Sequence, residues 1–338
     1  MINRHVGGNP GPNGSRASGR DKAYSDRTCG ISCSRSILNA LESTEVSRAH
    51  LLLFLFLSGV VATAQTASDL AARYGNPDAE QFTARSGITL MARYAEDRAA
   101  CEILIEPEQS IQQPADKELS MPTDTVSTII DELIPVSERG ILLSHSIEFT
   151  GAPEYDTAEY KNVKISRYYL RNLPADHDEK SASVVRKDGP CDPANAPQGR
   201  VPAIALTATD LRTRYGDSRA QRFMVRPGIT LMVTYGTDQA SCRMVLGPTR
   251  SILPREEPVQ YMRSGDVTGI IDEVLTDADR GKQLRRVVTR SGCNGYETID
   301  YDNVTVSRFS HGCDLPKPEM EGEATVMRKN PACSKGAK

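Results

Sequence analysis

Two spacings of apolar residues organise this chain, and each occurs twice. Ile88, Leu90, Ala92 and Tyr94 alternate with their neighbours, and Ile229, Leu231, Val233 and Tyr235 repeat the alternation. Period two predicts strands that bury one face. After the polar stretch Ala95–Arg98, read as a hairpin turn, Cys101, Ile103 and Ile105 continue the pattern, as do Cys242, Met244 and Leu246. The period then lengthens. Val126, Ile129, Ile130, Leu133 and Ile134 fall at helical spacing, as do Val267, Ile270, Ile271, Val274 and Leu275. Each set is one stripe of an amphipathic helix, with Thr123 or Ser264 as the expected cap and Pro135 as a stop in the first copy. A shorter helix is expected ahead of the strands, capped by Ser68 or Thr209 and ended by Gly75 or Gly216. Further strands are expected near 81–85, 141–149, 163–169 and 182–187.

The doubling reflects an internal repeat. At an offset of 141 the stretch from Asp69 to Arg167 matches itself without gaps at about 37 of 99 positions, and the match resumes after a one-residue slip at Val184–Lys187 against Val326–Lys329. A unit of about 125 residues is too long for a solenoid repeat and suits a domain. The expected fold class is α+β: two tandem homologous domains, 66–191 and 206–335, joined by a linker at 192–205. Each is expected to be an antiparallel sheet of about five or six strands packed by two helices and closed by a disulfide.

The N-terminal region reads differently. Leu51–Val61 is a continuous apolar run followed by Ala62, Thr63 and Ala64, so 46–64 reads as a signal peptide cut after Ala64. The run is too short to span a bilayer, and no membrane span is expected after cleavage. Residues 1–45 are rich in Gly, Asn, Ser and Arg with no apolar period, as in a disordered or mis-called leader, with a start at Val46 as the variant reading. A secreted or periplasmic location follows.

An oxidising compartment gives the cysteines meaning. Removing the leader and signal takes Cys29 and Cys33, leaving six cysteines, which in isolation allow about 15 pairings. The repeat chooses among them. Cys101 aligns with Cys242 and Cys191 with Cys333, so each copy closes on itself as Cys101–Cys191 and Cys242–Cys333. The leftover Cys293 and Cys313 pair within the second copy. The cysteines lie singly, without zinc-site spacing, so neither metal nor other cofactor is expected.

Charge narrows the partners. A net charge of −3 suggests no nucleic acid. The histidines His145, His177 and His311 occupy no common place in the two copies, so no shared histidine-based active site exists. Asp131-Glu132 and Asp272-Glu273 recur as acidic pairs off the apolar helical stripe, facing solvent. Arg73, Tyr74, Arg85, Tyr94, Asp97 and Arg167 recur as Arg214, Tyr215, Arg226, Tyr235, Asp238 and Arg308. Arg85 and Arg226 are candidate binding residues, because guanidinium grips carboxylates. The copies also diverge in charge, from −9 over 68–191 to +1 over 209–333. Lys282, Arg285, Arg286 and Arg290 form a basic cluster where the first copy has Ile141, Ser144, His145 and Phe149, and are further candidate binding residues.

The short helix ending at glycine and followed by strands resembles the opening of small envelope-assembly lipoproteins and of tandem-repeat β-lactamase inhibitor proteins. It covers about ten residues per copy and carries over no functional residue. The expected function is that of an exported, non-enzymatic binding protein for an extracellular or envelope protein or glycan. The alternatives are an inhibitor of a secreted enzyme, or a hydrolase using Asp131, Glu132, Asp272 and Glu273 between the domains.

Overall fold

The computed structural model describes residues 65–108, 119–150, 153–170, 178–187, 191, 206–253, 260–311, 320–331 and 333, all within one compact unit, Val61–Lys338. The expected leader, signal peptide, linker, His177 and Cys313 lie outside these residues.

The first half runs α1 (Ala67–Tyr74), β1 (Ala79–Arg85), β2 (Ile88–Tyr94), β3 (Ala100–Pro107), β4 (Met121–Pro122), α2 (Thr123–Leu133), α3 (Val136–Arg139), β5 (Leu142–Phe149), β6 (Pro153–Tyr160), β7 (Val163–Leu170) and β8 (Asp178–Arg186). The second half follows the same order: α4 (Ala208–Tyr215), β9 (Ala220–Arg226), β10 (Ile229–Tyr235), β11 (Ser241–Pro248), β12 (Met262–Arg263), α5 (Ser264–Val274), α6 (Asp277–Arg280), β13 (Gln283–Ser291), β14 (Asn294–Tyr301), β15 (Val304–His311) and β16 (Met320–Arg328).

The expected pair of α+β domains, each with its own sheet of five or six strands, is not what forms. The chain is β-rich, and its strands join in one antiparallel sheet of 16. The sheet runs from β13 through β14, β15, β16, β11, β10 and β9, crosses to β1, and continues through β2, β3, β8, β7 and β6 to β5, with β12 and β4 attached to β16 and β8. Amphipathic alternation says which face of a strand is buried but not which strand lies beside it. The β1–β9 contact that fuses the halves is therefore invisible in the hydrophobic pattern. The hairpin partners β6 and β14 are likewise absent from the hydrophobic pattern. Their segments, PEYDTAEY and NGYETIDY, are half-buried along most of their length and rich in acidic residues that are poor strand formers.

Register at the junction is informative. β1 and β9 pair with Ala79 opposite Arg222, Glu80 opposite Gln221 and Gln81 opposite Ala220. Glu80 and Gln221 are themselves equivalent positions of the repeat, so a local pseudo-twofold axis passes between them. Glu80 is buried and accepts hydrogen bonds from Gln221 Nε2 at 2.9 Å, Ser218 Oγ at 3.2 Å, Arg212 Nη2 at 2.7 Å and the Tyr94 hydroxyl at 3.1 Å. Gln221 Oε1 accepts from Tyr235 at 3.0 Å. A buried carboxylate is tolerable only with such partners. Gln221→Glu would set two carboxylates against each other on this axis. It is expected to lower unfolding free energy by about 2 kcal/mol at pH 7 and by less at pH 4.5, where one proton can be shared. Denaturant titrations with equal midpoints for variant and parent at pH 7 would refute this.

The short helices are exchanged between halves. Each is capped two residues earlier than expected: Thr66 and Thr207, not Ser68 and Thr209, form capping boxes with Asp69 and Asp210. Each ends at a glycine with φ of 81°, Gly75 or Gly216, a backbone state that side chains disfavour. Only four residues, 75–78, then separate α1 from β1. Because β1 lies beside the pseudo-axis, α1 falls across the second half's sheet. Leu70 joins the core of Phe223, Leu231 and Val267, with Ala67, Ala71 and Tyr74 packed against it. Reciprocally, Ala208 and Leu211 of α4 complete the core of Phe82, Leu90, Ile103 and Val126. Backbone bonds seat both helices: Ala100 N–H donates to the Leu206 carbonyl at 2.7 Å, and Ser241 N–H to the Gln65 carbonyl at 3.0 Å.

The longer helices follow the predicted stripe. Val126, Ile129, Ile130 and Leu133 are buried on α2, and Val267, Ile270, Ile271 and Val274 on α5. Thr123 and Ser264 are first helical residues rather than caps; the cap positions are Pro122 and Arg263, without a side-chain bond. Disulfides join Cys101 to Cys191 and Cys242 to Cys333, with Cα–Cα distances of 5.2 and 5.3 Å, as the register of the repeat had selected. Cys293 is also disulfide-bonded.

Candidate functional site

In the first half, α2 and α3 lie over one face of the sheet while β5, β6 and β7 extend past them. A cleft of about 370 Å³ opens in the angle, with Ile130, Ile165, Leu142, Ala158 and Tyr160 on its walls. That volume lies within the range of small-molecule sites. Its polar residues are Ser127, Asp131 and Arg139 from the helical side and His145, Asp156 and Arg167 from the sheet.

Most of these charges are matched. Arg139, nearly buried, pairs with Asp131 and donates through Nε to the Ile134 carbonyl at 3.0 Å. His145 Nε2 lies 2.7 Å from Asp156 Oδ1, with the imidazole half exposed at the open side. Arg167 is the most loosely matched. It faces Asp156 across β6 and β7, yet donates instead to two neutral oxygens, Ser127 Oγ at 2.6 Å and the Tyr169 hydroxyl at 3.2 Å. Its ion-pair partner is Glu179, 3.6 Å from Nε, a separation outside hydrogen-bond range.

Glu179 is fully buried, and neither of its carboxylate oxygens accepts a hydrogen bond. Burial pushes its carboxyl up to about 7, against the attraction of Arg167 and reinforced by Asp156. A carboxyl that titrates higher in the folded chain than in the unfolded one binds its proton more tightly when folded. It therefore costs nothing below the ordinary value of 4.5, and destabilises increasingly as pH rises toward 7, by up to about 3 kcal/mol. Glu179→Gln is expected to be more stable than the parent at pH 8 and equal to it near pH 4. Urea midpoints whose difference does not change between those pH values would contradict this.

The second half treats the same positions differently. Arg308, the counterpart of Arg167, clamps Glu321 through both Nε, at 3.1 Å, and Nη2. Arg286 stands in the place of His145 and pairs with Glu297, the counterpart of Asp156. Ile299 stands where Ala158 leaves room in the first half.

The residues singled out by sequence are dispersed. Arg85 pairs with Glu132, and Arg226 with Glu273, so both fasten the long helices to the sheet. The same acidic residues hold the exchanged helices. Arg73 donates to the Glu273 carbonyl, the Tyr74 hydroxyl to the Glu273 carboxylate at 3.3 Å, and Arg214 to the Glu132 carbonyl. Asp131 and Asp272 pair with Arg139 and Arg280. The four carboxylates thus divide between the halves, each with an arginine. Lys282, just ahead of β13, and Arg285, Arg286 and Arg290 on that outermost strand are solvent-facing, with Arg286 held by Glu297 at 2.6 Å.

Nucleophilic chemistry in the cleft would need a hydroxyl aligned with His145. Ser127 instead gives its proton to the Thr123 carbonyl at 2.9 Å while accepting from Arg167. Among the described residues no group of three or more His, Cys, Asp or Glu is placed to hold a metal ion.

No family model matches the chain, and no curated protein matches it. Among solved structures, the bifunctional GH43-CE protein of Bacteroides eggerthii aligns at 8% identity and a TM-score of 0.13, covering 77% of this chain and 29% of that one. The DNA polymerase beta subunit of Streptococcus pyogenes aligns at 9% identity and 0.12, covering 71% and 76%. The Pseudomonas aeruginosa DNA polymerase sliding clamp aligns at 10% and 0.11, covering 72% and 77%. The chain thus spans under a third of the first protein's length. Likenesses at these TM-scores carry no argument about fold or function.

Proposed function

We propose that this is an exported, non-enzymatic binding protein whose ligand site is the cleft of the first half. The observation that supports this reading is the contrast between equivalent arginines. Arg308 is chelated by a carboxylate inside its own half, whereas Arg167 is held by two neutral oxygens at the edge of an open, apolar-walled space. The disulfides, and the absence among described residues of a helix long and apolar enough to cross a membrane, are compatible with an extracellular protein.

Ala158→Ile gives the first half the side chain that the second half already carries, so it is expected to fold normally while filling the cleft. Loss of small-ligand binding in this variant, followed by ligand-induced changes in amide NMR spectra, is the expected result. Retained binding would place the site elsewhere.

An inhibitor of a secreted enzyme is the second reading. The two outermost strands favour it, since Leu143 and Ile147 on β5 and Leu284 and Val288 on β13 are exposed. Exposed apolar side chains on sheet edges suit a protein partner that adds a strand. Reversing Arg285 and Arg290 to Glu would weaken such a complex and leave small-ligand binding intact.

A further inference from the structure

We propose that the cleft of the first half binds a small organic carboxylate with an apolar body, its two oxygens taken by Arg167. This rests on the reading of the cleft as the ligand site and adds the chemistry of the ligand.

The charges of the cleft point to an anion. Arg139 has Asp131 and His145 has Asp156, each at hydrogen-bond range. Of the two arginines that line the cleft, Arg167 is the one without a hydrogen-bonded anion, because its ion-pair partner Glu179 stands 3.6 Å from Nε with no hydrogen bond between them. The tendency of Glu179 to keep its proton near neutral pH leaves the guanidinium still less compensated. The equivalent arginine shows what this group takes when an anion is in reach. Arg308 donates to both carboxylate oxygens of Glu321 side by side, the fork geometry natural to guanidinium and carboxylate.

Arg167 is also pre-positioned. Ser127 on α2 and Tyr169 on β7 hold its two terminal nitrogens, and each such nitrogen carries a second N–H that those bonds leave over. A side chain fixed by its neighbours loses little freedom when a ligand arrives.

The remaining wall sets the ligand's other end. Ile130, Ile165, Leu142 and Ala158 present hydrocarbon and Tyr160 a ring. An inorganic anion would leave this surface wet, whereas an aryl or branched alkyl group would cover it.

Phenylacetate, with phenylacetamide as its uncharged isostere, tests this on the oxidised full chain by calorimetry and amide NMR at neutral pH. The expected result is that phenylacetate binds at least about tenfold more tightly than the amide, and that Ala158→Ile removes binding of both. Arg167→Gln is expected to erase the preference for the carboxylate, bringing the affinity for phenylacetate down to about that for the amide, provided its NMR spectrum is that of a folded chain. Several results would overturn the carboxylate assignment: equal affinity for acid and amide, inorganic phosphate binding as tightly as phenylacetate, or no binding of phenylacetate up to about 10 mM. If acid and amide bind equally and Ala158→Ile abolishes both, the cleft stands and its ligand chemistry falls. If Ala158→Ile changes neither, the cleft itself is refuted.

Discussion

Leu211→Ala is expected to loosen the first half of the molecule although residue 211 belongs by sequence to the second. Leu211 is fully buried, among Phe82, Leu90, Ile103 and the stripe of α2. Truncation to alanine leaves a cavity that the flanking strands can close only in part, and costs about 3–4 kcal/mol. Hydrogen exchange is the decisive measurement. Protection should fall in β1, β2 and β3, while β9 to β11 keep theirs, and Leu70→Ala should give the mirror result. If Leu211→Ala instead exposes β9 to β11, the exchange of helices is wrong.

Replacing Cys101 and Cys191 together by Ser is expected to cost about 4–5 kcal/mol, since the bond closes a loop of 90 residues and removes that much disorder from the unfolded chain. The loss should also be felt locally. Cys101 neighbours Ala100, whose N–H seats the segment leading into α4. Guanidinium titration of the double variant gives the magnitude. A loss below about 1 kcal/mol would mean that the unfolded chain is already compact without the bond.

Much of the local structure was legible in the sequence, because it is fixed by neighbours in the chain. The helical stripe from Val126, the strand from Ile88 to Tyr94, the glycine stops at Gly75 and Gly216, and the two disulfide pairings rest on spacing or on the repeat register. What was not legible depends on residues far apart. No periodicity reports that β1 lies beside β9, or that a two-turn helix packs on the other copy's strands. Thr66, not the expected Ser68, caps α1, and the spacing of Thr66 and Asp69 suits a capping box.

The cleft was only partly visible. Arg167 recurs as Arg308, but nothing in either sequence position says that one is hydrogen-bonded to its carboxylate and the other only ion-paired. Glu179 aligns with Glu321 only after the one-residue slip, so the ungapped match passed over it. His145 has Arg286 as its counterpart, so it is no shared catalytic group, and it lines the cleft.

The exchanged helices also dictate an order of events. As the chain emerges from its N-terminus, α1 has no surface to rest on until β9 to β11 follow, and the first half's core stays open until Leu211 arrives, 129 residues after Phe82. Contacts this distant in sequence slow folding. Neither half can finish before the other, so maturation is a single late event near the end of synthesis, and a chain stopped at the end of β8 would present the unfilled seat of α4 to any protease or chaperone it met.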